Sequence, residues 1–291
     1  MGCTFKHACF SAGRGGGVLV IIGLGLYDLR DLSLGALNAL RKASRVFIEL
    51  YTSIVPGFKL EELERLIGRR VEVVLRRHLE GEWLKELIEY AREGDIALIV
   101  PGDPFVATTH ITIKMEAIKR GVKVVVYPAP SIINAVIAST GLQVYKFGRP
   151  VTIVRQTPLY SPVTPYYVLY ENLSRGLHTL FFLDLDLERG YAMTATEGIE
   201  VLRSIERREG LGIIKEYTPF IAVARASSPD EVVKVVRLGE CVDLGPAPHT
   251  LIVPGLLNPV EAEALTLLAG APPDLLSRWQ GYVERLMKRQ V

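Results

Sequence analysis

The sequence predicts an α/β protein of two domains, with a mostly parallel, doubly wound sheet in the N-terminal domain and a mixed sheet in the C-terminal domain. Continuous apolar runs, such as residues 18–25 and 96–100, are typical of strands buried on both faces of a parallel sheet. Segments with helical spacing separate these runs, as in βαβ units. After residue 141 the apolar residues alternate, and Pro, Tyr and Thr become frequent, which indicates more antiparallel pairing.

The individual elements follow in order from this periodicity. In the first half we predict strands at residues 18–25, 45–50, 71–75, 96–100 and 122–128, and helices at residues 31–43, 60–67, 83–92, 108–120 and 131–141. In the second half the clearest strands are at 178–186, 220–226 and 249–255, and the clearest helices at 193–209, 259–270 and 274–289. Asp31 is the expected cap of the first helix. Residues 141–167 are interpreted as a linker.

The chain of 291 residues is long enough for two domains of ordinary size. Residues 1–17 end in three glycines and have no periodicity, so we expect a flexible leader there. An N-terminal domain at 18–140 and a C-terminal domain at 141–291 follow.

Composition excludes several classes of protein. A hydrophobic content of 49% with 23% charged residues describes a globular protein, and a net charge of +2 gives no sign of a nucleic-acid partner. The apolar run at 18–26 is short and lacks the cleavage site of a secretion signal, so we expect a buried strand and no membrane partner. Three cysteines, Cys3, Cys9 and Cys241, without a CxxC pair argue against a disulfide scaffold and a zinc site. They favour a reducing compartment, the cytoplasm. Four Asn and four Gln resemble the usage of a heat-adapted protein.

The segment at 96–110 is the first candidate for a functional site. Its strand ends at Pro101-Gly102-Asp103-Pro104 and the chain re-enters a helix through threonines, which predicts a preset loop at the carboxyl edge of the sheet. Because α/β proteins bind ligands at this edge, Asp103 is a candidate functional residue. An equally good interpretation of these four residues is a tight turn in which Asp103 hydrogen-bonds its own backbone.

Two more strands of the first half end in unusual loops. The sequence GLGLYD at 23–28 lacks the third glycine of a dinucleotide-binding turn and has Asp28 in its place, which favours a ligand without phosphates. A tight strand-to-helix turn explains its glycines by itself and is the favoured interpretation, although Leu26 could still offer backbone groups. Ser131, in the sequence APSI, is either a ligand contact or a helix N-cap. The carboxyl ends of parallel strands meet at one edge, so we expect these loops to converge.

The sequence contains none of the standard catalytic motifs. GxSxG, HExxH, a Walker phosphate loop and a Cys/His pair are all missing from the printed chain. The remaining class of enzyme is one in which a cofactor carries the reactivity and the protein positions two molecules.

Eight motifs occur in order from about residue 18 to the last helix: IGLGLYDLRDLSLGAL, FIELYTS, PGDPFVATTH, APSI, GLQVYKFG, GLHTLFFLD, VARA and GPAPHTLIVPG. In these motifs the chain resembles the diphthine synthase family, within the tetrapyrrole (corrin/porphyrin) methylase superfamily. The resemblance implies two α/β domains with S-adenosylmethionine in the cleft between them, a homodimer, and no metal. It also implies, as the protein substrate, translation elongation factor 2, on which a histidine carrying a 3-amino-3-carboxypropyl group is methylated at the amino nitrogen, in archaeal members up to diphthine.

Matching the motifs residue by residue implies eight contacts to the cofactor. They are Leu26, Asp103, Val106, Ser131, Ile132, Leu183, Ala226 and His249. No catalytic residue is implied. As proton acceptors for the amine we considered Asp184, Asp186 and His249, and for cation–π contacts to a methylated product Tyr27, Tyr51 and Tyr145.

Two other interpretations remain open. The chain could be a related methylase acting on a corrinoid or on ribosomal RNA, although its near-neutral charge argues against RNA. It could also be a non-catalytic module that senses S-adenosylmethionine. Turnover on elongation factor 2 would distinguish both from the first interpretation.

Overall fold

A computed structural model describes residues 16–240 and 242–289. The strands are β1 (Val18–Gly23), β2 (Arg45–Glu49), β3 (Glu72–Val74), β4 (Ile96–Val100), β5 (Lys123–Tyr127), β6 (Val151–Ile153), β7 (Thr179–Leu183), β8 (Leu185–Asp186), β9 (Tyr191–Ala192), β10 (Phe220–Ala224), β11 (Val232–Val236) and β12 (His249–Val253). The α-helices are α1 (Leu34–Lys42), α2 (Leu60–Ile67), α3 (Arg76–Leu79), α4 (Trp83–Glu93), α5 (Ile111–Lys119), α6 (Ile132–Thr140), α7 (Thr164–Ser174), α8 (Ala195–Glu209), α9 (Pro259–Ala269) and α10 (Pro273–Lys288). Short 3₁₀ turns lie at Leu29–Asp31, Val144–Lys146 and Leu187–Arg189.

The first sheet is parallel and doubly wound, which confirms the prediction for the N-terminal half. Its strand order is β3-β2-β4-β1-β5, and the register aligns Val20 with Ala97 on one side and with Val125 on the other. Helices α1 and α2 bury Leu40 and Leu63 on one face, while α4 and α5 pack on the opposite face. The chain reverses direction of winding between β1 and β4, so the carboxyl ends of these two strands border the crevice where such sheets bind ligands.

The second sheet is mixed, as predicted. Its order is β11-β10-β12-β7-β6, with antiparallel pairs except for the parallel pair of β6 and β7. Helices α7, α8 and α10 cover one face, where Trp279 is fully buried and donates from Nε1 to the Pro254 carbonyl at 2.7 Å.

The structure corrects the sequence analysis of the segment between the two sheets. Residues 141–167 do not form a plain linker, because they contain strand β6 and the start of helix α7, which was not predicted. Helix α6 packs on the second sheet, where Val136 shares a core with Ile252 and Leu265. The division into domains at 18–140 and 141–291 stays a prediction.

At the start of the described residues, Gly17 already packs against the end of helix α4. Gly17 donates its N–H to the Arg92 carbonyl at 3.2 Å, and a Cβ added to Gly17 would lie 2.2 Å from the Gly94 carbonyl carbon. Residues 1–15, with most of the expected leader and Cys3 and Cys9, lie outside the described residues, as does Cys241. Across 16–240 and 242–289, none of the helices combines the length and apolar content needed to span a bilayer.

Candidate active site

A cavity of about 360 Å³ lies between the carboxyl edge of the first sheet and the second sheet. The first sheet lines it with the segments that follow β1, β2, β3, β4 and β5, and the second sheet lines it from β6, β7, β10 and β12. The residues from the first sheet are Leu26, Tyr51, Thr52, Ser53, Ile54, Arg76, Glu80, Pro101, Gly102, Asp103, Val106, Ala107, Thr108, Thr109, Ser131 and Ile132. Those from the second are Thr152, Phe182, Leu183, Asp184, Leu185, Val223, Ala226, Pro248, His249 and Thr250. All eight residues that the family resemblance implies for the cofactor are among them, so they converge on one cavity.

The loops after β1 and β4 hold each other in place. Gly25 and Gly102 form a backbone bridge with N–H to carbonyl distances of 3.2 and 2.8 Å, and both have positive φ, at +85° and +64°. Asp31 accepts the N–H groups of Leu26 and Tyr27 at 2.8 and 2.9 Å. Asp31 is therefore not the cap of α1, a role that Ser33 fills through Ala36 N–H. The N–H of Leu26 is engaged by Asp31, so of its backbone groups only the carbonyl is left for a ligand.

Asp103 both lines the cavity and stabilises its own turn. One carboxylate oxygen accepts the Phe105 N–H at 3.0 Å, as in an Asx turn, and the other accepts the Ala129 N–H at 3.4 Å. The two interpretations of this residue are thus compatible. The carboxylate fixes the loop after β4 against the loop after β5, and from there it faces the ligand space.

Ser131 and Ile132 enter the cavity from the start of α6. The Ser131 N–H and hydroxyl both donate to Asn134 Oδ1, at 2.8 and 3.1 Å, which fixes the first turn of the helix. Leu183, Ala226 and His249 reach the cavity from the second sheet. The predicted loop convergence is confirmed.

Of the three residues considered as proton acceptors, only Asp184 both lines the cavity and has a side chain that can accept a proton there. Both ring nitrogens of His249 are bound to backbone, since Nδ1 accepts the Ala195 N–H at 3.2 Å and Nε2 lies 3.1 Å from the Gly245 carbonyl. Burial also lowers the pKa of His249, so the ring is neutral at pH 7 and its lone pair is already used. Asp186 does not line the cavity and pairs with Arg189 at 3.3 Å.

Only one of the three tyrosines considered for cation–π contacts lines the cavity. Tyr51 is 4% exposed and its ring lies 5.2 Å from the guanidinium carbon of Arg76. Tyr145 is 78% exposed in a 3₁₀ turn, and Tyr27 packs under Arg30 at 5.6 Å. Of the three alternatives, Tyr51 is therefore the one kept as a prediction, because Tyr27 and Tyr145 are not among the lining residues.

A buried carboxylate behind the cavity wall fixes the loop after β2. Glu49 is fully buried and accepts the N–H groups of Tyr51 and Thr52 at 2.9 and 3.1 Å, together with the Thr52 hydroxyl. His110 is also buried, with Nε2 3.8 Å from Glu49, too far for a hydrogen bond. Burial raises the pKa of Glu49 and lowers that of His110.

Sequence reasoning missed Arg76 and Glu80. Both belong to the short α3 region, are exposed, and line the cavity beside Tyr51. Arg76 follows β3 directly, at the same carboxyl edge as the other site loops, and this position was the signal that could have found it.

Comparison with known proteins agrees with this geometry. The family model of the tetrapyrrole (corrin/porphyrin) methylases matches residues 18–242. Diphthine synthase of Methanocaldococcus jannaschii is 41% identical over 255 residues, covering 86% of this chain and 98% of its own. The chain belongs to the diphthine synthase family of tetrapyrrole methylases. A relative from Methanothermobacter thermautotrophicus, also named diphthine synthase, is 41% identical over 90% of this chain and 99% of its own. A crystal structure of a diphthine synthase superposes with a TM-score of 0.81 at 37% identity, over 90% of this chain and 99% of the other.

Membership of this family makes the chain an S-adenosylmethionine-dependent methyltransferase, and the cavity has features that fit that cofactor. Its walls combine apolar side chains with three acidic ones, Glu80, Asp103 and Asp184, which suit a cation. Gly102 leaves the floor open, since an added Cβ would meet only the Leu26 side chain, at 4.0 Å. Within the described residues no cluster of three or more His, Cys, Asp or Glu side chains has the arrangement of a metal site.

Proposed function

We propose that this chain transfers methyl groups from S-adenosylmethionine to the amino nitrogen of a 3-amino-3-carboxypropyl group on a histidine of translation elongation factor 2, repeatedly, to give diphthine. The observation that carries the proposal is the convergence of eight family-matched residues from both domains on one cavity. The similarity to proteins named diphthine synthase selects this acceptor over a corrinoid.

The cofactor would lie against Leu26, Val106, Ile132, Leu183 and Ala226. The carboxylate of Asp103 and the hydroxyl of Ser131 would accept hydrogen bonds from polar groups of the cofactor, and the His249 ring would pack beside the cofactor. When bound, S-adenosylmethionine supplies an activated methyl group on a sulfonium, which needs no acid to help it leave.

The chain's own contribution is to align the acceptor nitrogen with the methyl group and to exclude water. A free alkyl amine with a pKa near ~10 is neutral in only about one part in a thousand at pH 7. Apolar surroundings and a neighbouring sulfonium both disfavour the ammonium form, which raises the reactive fraction. Of the proton acceptors considered, Asp184 is the carboxylate that lines the cavity and would take up the released proton; its Oδ2 also accepts the Arg155 backbone N–H at 2.9 Å.

Mass spectrometry of elongation factor 2 tests the proposal. The factor, carrying the aminocarboxypropyl histidine, is incubated with this protein and S-adenosylmethionine, and a gain of one to three methyl masses is expected. Asp103→Ala should abolish the gain, while the matched control Asp186→Ala, an acid outside the cavity, should retain it. Because Asp103 also holds its loop, Ala226→Phe serves as a second variant that fills the cavity and leaves the turn intact.

The outcomes separate the competing functions. If the wild-type protein binds S-adenosylmethionine but adds no mass to the factor, the acceptor is wrong, and a related methylase or a cofactor sensor replaces this proposal. We further propose that the protein acts as a cytoplasmic homodimer in a thermophilic archaeon. Equilibrium ultracentrifugation tests the dimer directly.

A further inference from the structure

The cavity contains one basic side chain among its described lining residues. Arg76 is the only Lys or Arg there, against the three carboxylates of Glu80, Asp103 and Asp184. Its guanidinium carbon lies 5.2 Å from the centre of the Tyr51 ring, which holds the planar group by a cation–π contact. Among residues 16–240 and 242–289 no carboxylate lies within 4.0 Å of its guanidinium nitrogens. Its charge does act on the buried Glu49, where it opposes the rise in pKa that burial causes. A positioned guanidinium without a carboxylate at ion-pair distance can bind one from a ligand.

Arg76 lies at the mouth of the cavity. The exposed lining residues are Arg76, Glu80, Ala107, Thr109 and Thr152, and they mark where the cavity opens to solvent. Two contacts fix the rim here, since the Arg76 N–H donates to Glu188 Oε1 at 3.1 Å and the Thr109 hydroxyl donates to Glu80 at 3.3 Å. A cavity of about 360 Å³ has no room for a folded protein, so a modified side chain must enter past this rim.

We infer that Arg76 binds the carboxylate of the 3-amino-3-carboxypropyl group and thereby selects the acceptor; this inference rests on the proposed function. The acceptor presents a carboxylate on the carbon that bears the reacting nitrogen. Holding that carboxylate at the rim sets the direction in which the nitrogen points into the cavity. S-adenosylmethionine also carries a carboxylate. Within residues 16–240 and 242–289, however, Arg76 contacts Tyr51 through its guanidinium and Glu188 through its backbone N–H, and neither belongs to the eight residues matched to the cofactor.

The test separates the two carboxylates by measuring two affinities. Arg76→Ala should raise the KM for modified elongation factor 2 by about 10- to 100-fold, the loss expected for a charge-assisted hydrogen-bond pair, and leave the Kd of S-adenosylmethionine within about twofold. Arg76→Lys keeps the positive charge but not the planar guanidinium, so its KM for modified elongation factor 2 should lie between those of the wild type and Arg76→Ala. Arg77→Ala is the matched control on the same helix, because Arg77 does not line the cavity.

Unmodified elongation factor 2 provides the last control. Its affinity should be equal for wild type and Arg76→Ala, since it lacks the carboxylate, whereas a general docking role for Arg76 would weaken both forms alike. The inference is overturned if Arg76→Ala has the KM of Arg77→Ala, or if it raises the Kd of S-adenosylmethionine instead. Failure of the proposed function is distinct, because the wild-type protein would then methylate nothing.

Discussion

The pH dependence of stability should report on one buried carboxylate, that of Glu261 at the start of α9. Glu261 is fully buried and accepts hydrogen bonds from Lys146 Nζ at 2.5 Å, His178 Nε2 at 3.1 Å, and the N–H groups of Gln143 and Asn258, both at 3.0 Å. Burial by itself would raise its pKa, but these donors outweigh burial and lower the pKa from 4.5 to about 2. The carboxylate thus ties the chain between the two sheets to α9.

The magnitude follows from this shift. A pKa lowered from 4.5 to about 2 corresponds to roughly 3 kcal/mol at 1.36 kcal/mol per unit. Lys146 keeps 24% of its side chain exposed, so solvent screening reduces the figure to about 2 kcal/mol. Glu261→Gln should lower the free energy of unfolding by this amount at pH 7, which for a chain of 291 residues is a fall in Tm of about 3–4 °C.

The sign of the pH effect is fixed because the pKa is lower in the folded state. The contribution is complete above the unfolded pKa of 4.5 and is lost as pH falls toward about 2. Calorimetry should therefore show a Tm deficit of Glu261→Gln that is largest at neutral pH and shrinks by more than half near pH 3. Glu263→Gln, an exposed acid on the same helix, is the control. A deficit equal at both pH values, or one no larger than that of the control, would refute the reasoning.

Three further predictions concern the cavity walls. Asp31→Ala should lower the free energy of unfolding in urea by about 1–3 kcal/mol, because two N–H groups of the loop after β1 lose their acceptor. It should also weaken S-adenosylmethionine binding, measured by calorimetry. Asp28→Ala, whose partner Arg30 is exposed, is the control and should change binding little. Gly25→Ala should weaken cofactor binding at least as much as Asp31→Ala, since its φ is +85° and the new Cβ would lie 2.1 Å from the Asp31 Cβ; wild-type affinity would contradict this. Tyr51→Leu should reduce the number of methyl groups counted by mass spectrometry, while Tyr145→Leu should give the wild-type count.

The strands of the first sheet could be predicted because their burial on both faces leaves an uninterrupted apolar run. Ile96–Val100 is buried at every position, and its predicted bounds are those of β4. The site loops followed from the same signal, since a run that stops at glycine or proline marks a carboxyl edge. Topology then brings these loops together without further information from the sequence.

The sequence analysis missed helix α7 because the composition of the segment and its helical spacing indicate different structures. It begins with Pro165 in its first turn, a favourable helix start, but that proline sits in a segment rich in turn residues. Tyr166, Leu169 and Leu173 recur at helical spacing and are fully buried. Aromatic residues mixed with proline favoured a linker, and tertiary burial overrode that composition.

Asp31 and Arg76 show what sequence patterns leave undetermined. Asp31 stands two residues before the true cap, Ser33, and nothing local decides which of them bonds to the helix. The 3₁₀ turn at Leu29–Asp31 folds the Asp31 carboxylate back onto the loop after β1, which leaves the capping role to Ser33. Arg76 is one of two adjacent arginines, and only the packing of α3 against Tyr51 distinguishes it from Arg77.

The carboxylate contact inferred for Arg76 also bears on repeated methylation. Each transfer replaces a hydrogen on the acceptor nitrogen, so a contact made through that N–H would be lost as methylation proceeds. The carboxylate is unchanged from the first round to the last, and a guanidinium that binds it holds the nitrogen in the same direction in every round. The third transfer makes the single positive charge on the nitrogen permanent, and the acidic side chains of Glu80, Asp103 and Asp184 line the cavity in which that charge would lie. On this reasoning, Arg76→Ala should lower the fraction of product carrying three methyl groups more than it lowers the first transfer.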